Sequence, residues 1–335
     1  MSAASKVLLF DARWIGDHGI GRFAREVRTR IPGAQDFQSR IKPWSAFDAA
    51  HLSLRLGSLR KPALFYSPGY SAPLTARVPF IFTIHDLNHI DCAESRTYAK
   101  ELYYERVMKP ACRLARAVLT VSQYSRDRIC EWSGIEPGRV VNVSNGVDPV
   151  FTPIGEKYAH PRPYVLCMGN RKPHKNEART LLAFAQLAPR ISHDLLFSGV
   201  PSDSLLKLIQ ETDLSGRVHF LGPRSDAELA SVYRGAEALL FVSLHEGFGL
   251  PVVEAMACGT PVITSNVCAL PEVAGNAARI VDPLSVDAIA AALWASLTDN
   301  TTLARVREGL GAVAKYSWER TGVEVRRVIE SCLRE

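Results

Sequence analysis

Residues 244–261 read LHEGFGLPVVEAMACGTP, and they follow an apolar run, Ala238–Val242, that predicts a β-strand. Pro251 suits the first turn of a helix, so the segment predicts a strand, a glycine-rich turn and a helix in that order. The two glycines of the turn let the backbone approach a ligand closely. The amides of residues 248–250 would then face an anion, with the helix dipole behind them. The pattern predicts a cradle for a phosphate or a sugar.

Two glutamates flank this turn. Glu246 precedes it, and Glu254 lies one turn inside the predicted helix. A carboxylate at the second position can accept hydrogen bonds from two vicinal hydroxyls at once, as a ribose presents them. Either glutamate alone could simply complement the helix dipole. Together with both glycines, the pair favours a ligand site.

The second half of the chain alternates between strand and helix patterns. Apolar strand runs occupy Tyr164–Met168, Leu195–Ser198, Val218–Leu221, Ala238–Val242 and Val262–Thr264. Helical patterns lie between and after them, at Glu177–Leu187, Ser204–Thr212, Asp226–Arg234 and Pro251–Ala257. Such apolar strands separated by helices predict a parallel sheet covered on both faces. Ligands bind such sheets beyond the carboxyl ends of the strands.

The first half opens with a strand, a loop and a helix, and contains further strand runs. The predicted strands are Lys6–Phe10, Ala63–Tyr66, Pro79–Ile84 and Ala117–Val121. The turn formers of residues 145–149 come where the charge balance changes, so they are the predicted hinge between two domains. A length of 335 residues also favours two domains.

Composition excludes several classes of protein. The hydrophobic fraction is 47% and the charged fraction 22%, as in ordinary globular proteins. No apolar run reaches the roughly 18 residues that a membrane-spanning helix needs, and no secretory signal is visible. The seven cysteines form no C-x-x-C pair and are interpreted as reduced core thiols. The expected location is the cytoplasm, with peripheral association at the inner face of the cell membrane left open.

Positive charge is concentrated in the first half. Residues 1–150 contain 21 Lys and Arg against 14 Asp and Glu, whereas the remainder contains 19 against 20. This asymmetry indicates an anionic partner such as nucleic acid, a phosphorylated substrate or an anionic membrane. A helix predicted over Arg96–Arg116 would carry four basic residues on one stripe. These are Arg106, Lys109, Arg113 and Arg116. Such a stripe is either an ordinary solvated face or a membrane-docking face.

Two sequence patterns bear on whether the protein uses a cofactor or a metal. Gly19–Ala24 fits the G-x-G-x-x-A form of a dinucleotide fingerprint, but eight residues separate it from the strand that it should follow directly. The chain contains no D-x-D pair with which to hold a divalent cation on a donor diphosphate. We therefore expect no metal and no cofactor at the site.

The glutamate pair and the sequence between them resemble the E-x7-E motif of the retaining family 4 glycosyltransferases, which have the GT-B fold. Other motifs of that family occur in the same order over nearly the whole chain. They include residues 18–22 (HGIGR), 83–87 (TIHDL), 120–122 (TVS), 144–148 (SNGVD), 169–176 (GNRKPHKN), 270–273 (LPEV) and 316–319 (YSWE).

The resemblance implies an α/β architecture: two Rossmann-like domains that face a central cleft. It implies an acceptor-binding domain over residues 1–148 and a nucleotide-sugar-binding domain over residues 149–315. Residues 316–335 would form a helix that crosses back to the first domain.

The resemblance also implies roles for individual residues. Glu246 and the backbone of the turn would hold the donor sugar, and Glu254 the ribose. The turn residues are Gly247, Phe248, Gly249 and Leu250. Arg171 and Lys175 would neutralise the donor diphosphate, although Asn170 and Lys172 compete with Arg171 for that place.

In the first half, the resemblance makes His85 the histidine that contacts the donor sugar. Gly19 and Gly21 would form a flexible loop over the diphosphate and acceptor. His18 and Arg22 would be free to meet an acceptor phosphate, and Asp86 would lie on the acceptor side and orient its loop.

The predicted activity is transfer of a hexose from a nucleotide diphosphate sugar to a glycan or a polyprenyl-diphosphate-linked acceptor, with retention, in surface polysaccharide or lipopolysaccharide assembly. GDP-mannose is the favoured donor, and UDP-glucose remains an alternative. An NAD-dependent oxidoreductase is the alternative from another class. No recognisable nucleic-acid module accompanies the basic half, so nucleic acid is not an expected partner.

Overall fold

The structure is a computed structural model that describes residues 6–75 and 77–334. Contacts divide the chain into two compact units. Unit 1 runs up to Gly146 and includes the chain from Trp318 onward, and unit 2 is Val147–Ser317. The division, between Gly146 and Val147, falls within residues 145–149, where the turn formers predict the hinge.

Unit 1 is built on a sheet of six parallel strands in the order β2-β1-β3-β4-β5-β6. The strands are β1 (Val7–Asp11), β2 (Gln35–Phe37), β3 (Ala63–Ser67), β4 (Phe80–Thr83), β5 (Ala117–Thr120) and β6 (Val140–Asn142). The three central strands β3, β4 and β5 are buried at every residue. Both faces of the sheet are therefore covered, as the apolar runs predict.

The helices of unit 1 alternate with these strands, and one of them comes from the far end of the chain. They are α1 (Gly19–Thr29), α2 (Asp48–Gly57), α3 (Asn88–Asp91), α4 (Tyr98–Tyr103), α5 (Lys109–Leu114), α6 (Gln123–Ser133) and α14 (Trp318–Arg334). Helix α14 packs on α1, where Arg326 donates to the carbonyl of Arg30 over 2.7 Å. Gly322 makes this close packing possible, since a Cβ there would lie 2.6 Å from Arg30 Cδ.

The single helix predicted over Arg96–Arg116 is interrupted. Residues Tyr104–Met108 form a π-helical turn between α4 and α5. The wider turn changes the angle between successive side chains, so the three- and four-residue spacing of the basic residues no longer defines one straight stripe. Lys109 also pairs with Glu105 over 3.2 Å, which offsets part of the positive charge. The membrane-docking face stays a prediction.

Unit 2 contains a second sheet of six parallel strands, in the order β12-β11-β10-β7-β8-β9. The strands are β7 (Tyr164–Cys167), β8 (Asp194–Phe197), β9 (Val218–Phe220), β10 (Ala238–Phe241), β11 (Val262–Ser265) and β12 (Ala278–Val281). All five strands predicted for this half are present. Its helices are α7 (Glu177–Leu187), α8 (Asp203–Glu211), α9 (Asp226–Gly235), α10 (Leu250–Ala257), α11 (Leu270–Ala274), α12 (Val286–Thr298) and α13 (Thr302–Ala312).

The core of unit 2 explains why these segments fold together. Phe184 of α7 and Leu293 of α12 are fully buried against the strand residues Leu195 and Leu240. The helices therefore fix the sheet from one side, while the loops at the carboxyl ends of the strands carry the polar residues considered below.

Two further findings bear on the sequence predictions. No disulfide joins any of the seven cysteines, all of which lie among the described residues, in agreement with reduced thiols. Within residues 6–75 and 77–334, no helix combines the length and the apolar character needed to cross a bilayer.

Candidate active site

A partly buried ion pair joins two loops at the carboxyl end of the unit 2 sheet. Lys175 lies in the loop after β7 and Glu246 in the loop after β10, and these strands are neighbours. Lys175 Nζ is 2.6 Å from Glu246 Oε1, and the two side chains are only 15% and 13% exposed. The ammonium also lies 5.2 Å from the centre of the Phe241 ring. Two predicted donor-binding residues, 71 positions apart, thus meet in space.

Backbone and side-chain hydrogen bonds hold the two loops together. Leu244 N donates to the carbonyl of His174 over 2.7 Å. Asn176 adopts a left-handed conformation, with φ at 58°, and its buried amide donates to the carbonyls of Val242 and Pro283. Asparagine tolerates this conformation better than most residues do. The loops are therefore positioned before any ligand arrives.

The glycine-rich turn leads into α10 as the sequence predicts. Gly249 caps the helix with φ at 100°, and Pro251 occupies its first turn. Phe248 is buried, with its ring 5.3 Å from that of Tyr316 in an edge-to-face contact. Phe248 therefore anchors the turn, and only its backbone is available to a ligand.

We expect Gly249→Ala to destabilise unit 2, because a left-handed backbone costs an alanine about 1–2 kcal/mol. A Cβ at this position would also lie 2.7 Å from Leu270 Cδ2. Gly311→Ala is the matched control, since no atom lies within 4 Å of its added Cβ and it sits in helix α13. Urea unfolding should show a lower midpoint for the first variant and an unchanged or higher midpoint for the second. Equal midpoints would contradict the strain argument.

Glu254 lies on α10 and is 4% exposed. Its Oε2 accepts a hydrogen bond of 2.8 Å from the hydroxyl of Tyr233 on α9. The sequence indicated Glu254 but not Tyr233, because the contact depends on how the two helices pack. The tyrosine therefore holds the Glu254 carboxylate one turn beyond the backbone amides at the start of α10.

Arg171 turns back onto its own unit. Its φ is 61°, and its guanidinium lies 3.0 Å from Glu177 Oε1 and donates to the carbonyl of Ser198. The guanidinium is also within 5.5 Å of the ring centres of Phe197 and Phe220. Arg171 is therefore already paired, whereas its competitors Asn170 and Lys172 are exposed.

Glu177 is a residue of this site that the sequence analysis did not single out. Burial raises the pKa of its carboxyl although Arg171 and Lys175 lie near it. Gly169 lies against the same carboxylate, since a Cβ there would be 1.8 Å from Glu177 Oε1. The only sign of Glu177 in the sequence is its position as an acidic residue at the start of a predicted helix, and such residues are too common to identify a site.

In unit 1, His85 follows β4 and is buried. Its Nε2 is 2.9 Å from the carbonyl of Pro68, so Nε2 carries the proton and Nδ1 is the accepting nitrogen. Burial lowers the pKa of the imidazole, which keeps the ring neutral at pH 7. The Phe23 ring contacts it edge-on at 4.9 Å. A neutral histidine at the end of a parallel strand can accept a hydrogen bond from a sugar hydroxyl.

Asp86 organises the loop that follows His85. Its carboxylate Oδ1 accepts a hydrogen bond of 3.0 Å from the backbone N–H of Asn88. Its backbone N–H donates to the Tyr70 hydroxyl, also over 3.0 Å. The first contact lies within the loop, whereas the second joins it to the segment after β3. An acceptor-side role for Asp86 stays a prediction.

The prediction that Gly19 and Gly21 form a loop is wrong. Gly19 and Gly21 lie in the first turn of α1. His18 caps this helix through Nδ1, which accepts a hydrogen bond of 2.9 Å from the Gly21 N–H. Gly21 packs on Gly16, whose carbonyl oxygen would lie 2.3 Å from an added Cβ. The sequence suggested that His18 is free, but its Nδ1 is bonded in this helix cap. Arg22 lies in α1, and its backbone N–H donates to the carbonyl of His18.

Family models and known proteins match this chain over most of its length. The family model described as "Glycosyltransferase Family 4" matches residues 10–151, and that described as "Glycosyl transferases group 1" matches residues 154–310. "O-antigen chain mannosyltransferase B" of Escherichia coli is 32% identical over 276 residues, which cover 77% of this chain and 72% of that protein. The chain belongs to the family 4 glycosyltransferases. The family and the enzyme class predicted from the sequence are confirmed.

Other relatives of this family 4 glycosyltransferase vary in length. "Serotype-specific mannosyltransferase WbdA" of Escherichia coli is 31% identical over 225 residues, which are 62% of this chain but 28% of WbdA. The solved structure "Anabaena Alr3699/HepE in complex with UDP and glucose" is 18% identical, with a TM-score of 0.74 and coverage of 98% of this chain and all of that one. That likeness supports the fold, and the predicted GT-B architecture is confirmed.

Proposed function

We propose that this family 4 glycosyltransferase transfers a mannosyl residue from GDP-mannose to a hydroxyl group of a growing surface polysaccharide. Two relatives are named as mannosyltransferases, and one of them as an O-antigen chain enzyme. The observation that carries the proposal is the partly buried pair of Lys175 and Glu246 beside the start of α10. That pair would supply one cation for the diphosphate of the donor and one hydrogen-bond acceptor for its sugar.

We assign donor contacts from this geometry. The Glu246 carboxylate would accept hydrogen bonds from sugar hydroxyls, and the backbone of residues 247–250 would line the same sugar. Lys175 would leave Glu246 for the diphosphate, which carries more negative charge than a single carboxylate. Glu254, held by Tyr233, would accept the ribose hydroxyls. Both cations are paired, but Arg171 is also held by the Ser198 carbonyl and the rings of Phe197 and Phe220, so we take Lys175 as the principal cation.

The reaction that fits these residues is same-face substitution. An acceptor oxygen would form a bond to the anomeric carbon while the bond from that carbon to the diphosphate oxygen breaks. The departing phosphate would take the acceptor proton, and Lys175 would stabilise the negative charge that develops there. The products would be a glycoside of unchanged anomeric configuration and a nucleoside diphosphate. We propose that this chemistry proceeds without a metal.

The NAD-dependent alternative receives no support from unit 1. A dinucleotide fingerprint needs its glycines directly after a strand. Here the short helical turn of Ala12–Trp14 and four further residues separate β1 from Gly19. The backbone of Gly16 moreover covers the side of Gly21 to which a Cβ would point, so a pyrophosphate could not approach from that side.

A panel of nucleotide sugars tests the proposal. We expect GDP-mannose to raise the melting temperature more than UDP-glucose, UDP, NAD or ATP at equal concentration, because a ligand that binds the folded state stabilises it by mass action. Proton NMR of the product should show the anomeric configuration of the donor. Preferential stabilisation by UDP-glucose would overturn the donor assignment, and an inverted product would overturn the mechanism.

A further inference from the structure

Three metal-ligating side chains meet at the opposite end of the unit 2 sheet. His160 lies in the loop before β7, Asp194 begins β8, and His219 is in the middle of the short strand β9. The strands are adjacent, with Tyr164 opposite Asp194 and Leu196 opposite His219. The cluster therefore lies toward the amino ends of the strands, whereas Lys175 and Glu246 follow their carboxyl ends.

The imidazoles of His160 and His219 both contact the same carboxylate oxygen of Asp194. His160 Nε2 is 2.8 Å from Asp194 Oδ2, and His219 Nε2 is 3.2 Å from the same atom. All three ligand atoms lie within 4.8 Å of one another. Ligands of a tetrahedral zinc ion, at about 2.0–2.2 Å from the metal, stand about 3.3–3.5 Å apart. Shifts of about 1 Å or less would bring the three atoms to those separations.

Neighbouring groups hold two of these side chains in place. The His160 ring is stacked on Tyr158 at an angle of 20° and contacts the edge of Tyr164 at 5.7 Å. The other oxygen of Asp194, Oδ1, accepts a hydrogen bond of 3.1 Å from Arg217 Nε. Oδ1 of Asp194 is therefore bound by an arginine, whereas Oδ2 lies next to the two imidazoles. Such supporting contacts orient the ligands of protein metal sites.

We propose that His160, Asp194 and His219 form a binding site for a divalent transition metal ion of the zinc type. Two imidazole nitrogens and one carboxylate oxygen are a ligand set that zinc uses, with water in the fourth position. His219 is 42% exposed, so solvent reaches that position. Binding moves the proton of each Nε2 to Nδ1 or to solvent, and the two N–H···O contacts are replaced by metal bonds. The site joins the segment before β7 to β8 and β9, and it is independent of the proposed donor site.

Nearby arginines limit the affinity of the site. Arg217 and the half-exposed Arg162 both approach Asp194 Oδ1, Arg162 at 3.5 Å. Their charge opposes that of a metal ion, although neither contacts Oδ2. Arg162 is exposed enough to turn toward water. We therefore expect Arg162→Gln to bind zinc more tightly than the parent chain.

Calorimetric titration of the full, tag-free chain with zinc chloride at pH 7.5 tests the site. We expect one equivalent to bind and the melting temperature to rise. Cobalt(II) should bind in the same place and give the visible absorption of a four-coordinate ion. Because His219 is partly exposed, His219→Ala should fold normally and bind zinc at least about tenfold more weakly.

His51→Ala is the matched control. His51 lies on α2 in unit 1 and is bonded to the Ser39 hydroxyl, far in sequence from the cluster. It should bind zinc as the parent chain does. Zinc binding of equal affinity in the parent and in His219→Ala, or absence of binding to the parent, would overturn the proposal. Donor binding is measured separately, so either result leaves the proposed glycosyl transfer untouched.

Discussion

Replacing Lys175 by alanine is expected to lower the turnover number for sugar transfer by about 10²–10³, the usual cost of removing a group that stabilises charge as it develops. The ammonium is the cation that lies beside Glu246, and it is held over Phe241 at the end of β10. The rate is to be measured under saturating donor, by release of the nucleoside diphosphate, so that loss of affinity is separated from loss of turnover.

Two further lysine variants separate catalysis from folding. Lys172→Ala removes an exposed lysine from the same loop and should leave turnover within about twofold of the parent. Lys175→Arg keeps the charge and its partner Glu246, and should recover part of the lost rate. Normal turnover in Lys175→Ala, or a loss of the same size in Lys172→Ala, would contradict the role of Lys175.

Glu254→Gln is expected to weaken donor binding roughly 10- to 150-fold, since hydrogen bonds to a charged group contribute about 1.5–3 kcal/mol. The effect should appear in the dissociation constant of GDP as well as of GDP-mannose, because the ribose is common to both. Turnover at saturating donor should change much less. Glutamine keeps an acceptor oxygen for the Tyr233 hydroxyl, so the fold is expected to survive.

Tyr233→Phe is the control for this variant. It removes the hydroxyl that donates to Glu254 and leaves the carboxylate itself. If Glu254 binds the ribose, this variant should lose much less donor affinity than Glu254→Gln. If the two variants lose affinity equally and also unfold at equal, lower temperatures, then Glu254 serves to join α9 and α10.

Among the described residues, the sequence predicted every interior strand but only one of the four edge strands, β9. β3, β4, β8 and β10 are buried at every residue, so their apolar runs are uninterrupted. β2, β6 and β12 lie at sheet edges, are only three or four residues long and contain partly exposed positions. An edge strand is covered on fewer sides, so fewer of its positions must be apolar. Periodicity alone could not find these three.

Sequence motifs point to several residues of the candidate site, but not to their pairing and not to Glu177 or Tyr233. The glycines and the proline determine the turn before α10 from local chemistry. The partners of Glu254 and Arg171 come from other elements, at distances of 21 and six positions along the chain. Whether Arg171 points toward a ligand or back onto Phe197 depends on its positive φ, for which the sequence gives no sign.

The packing of α14 on α1 has a consequence for biosynthesis. Unit 2 is contiguous in the chain, whereas unit 1 combines residues up to 146 with residues from 318 onward. During vectorial synthesis, the buried face of α14, with Val325 and Ile329, reaches the ribosome exit only after all of unit 2 has emerged. Until then, the α1 surface that receives it is open to solvent and to chaperones. Unit 1, although most of it is translated first, therefore reaches its native state after unit 2.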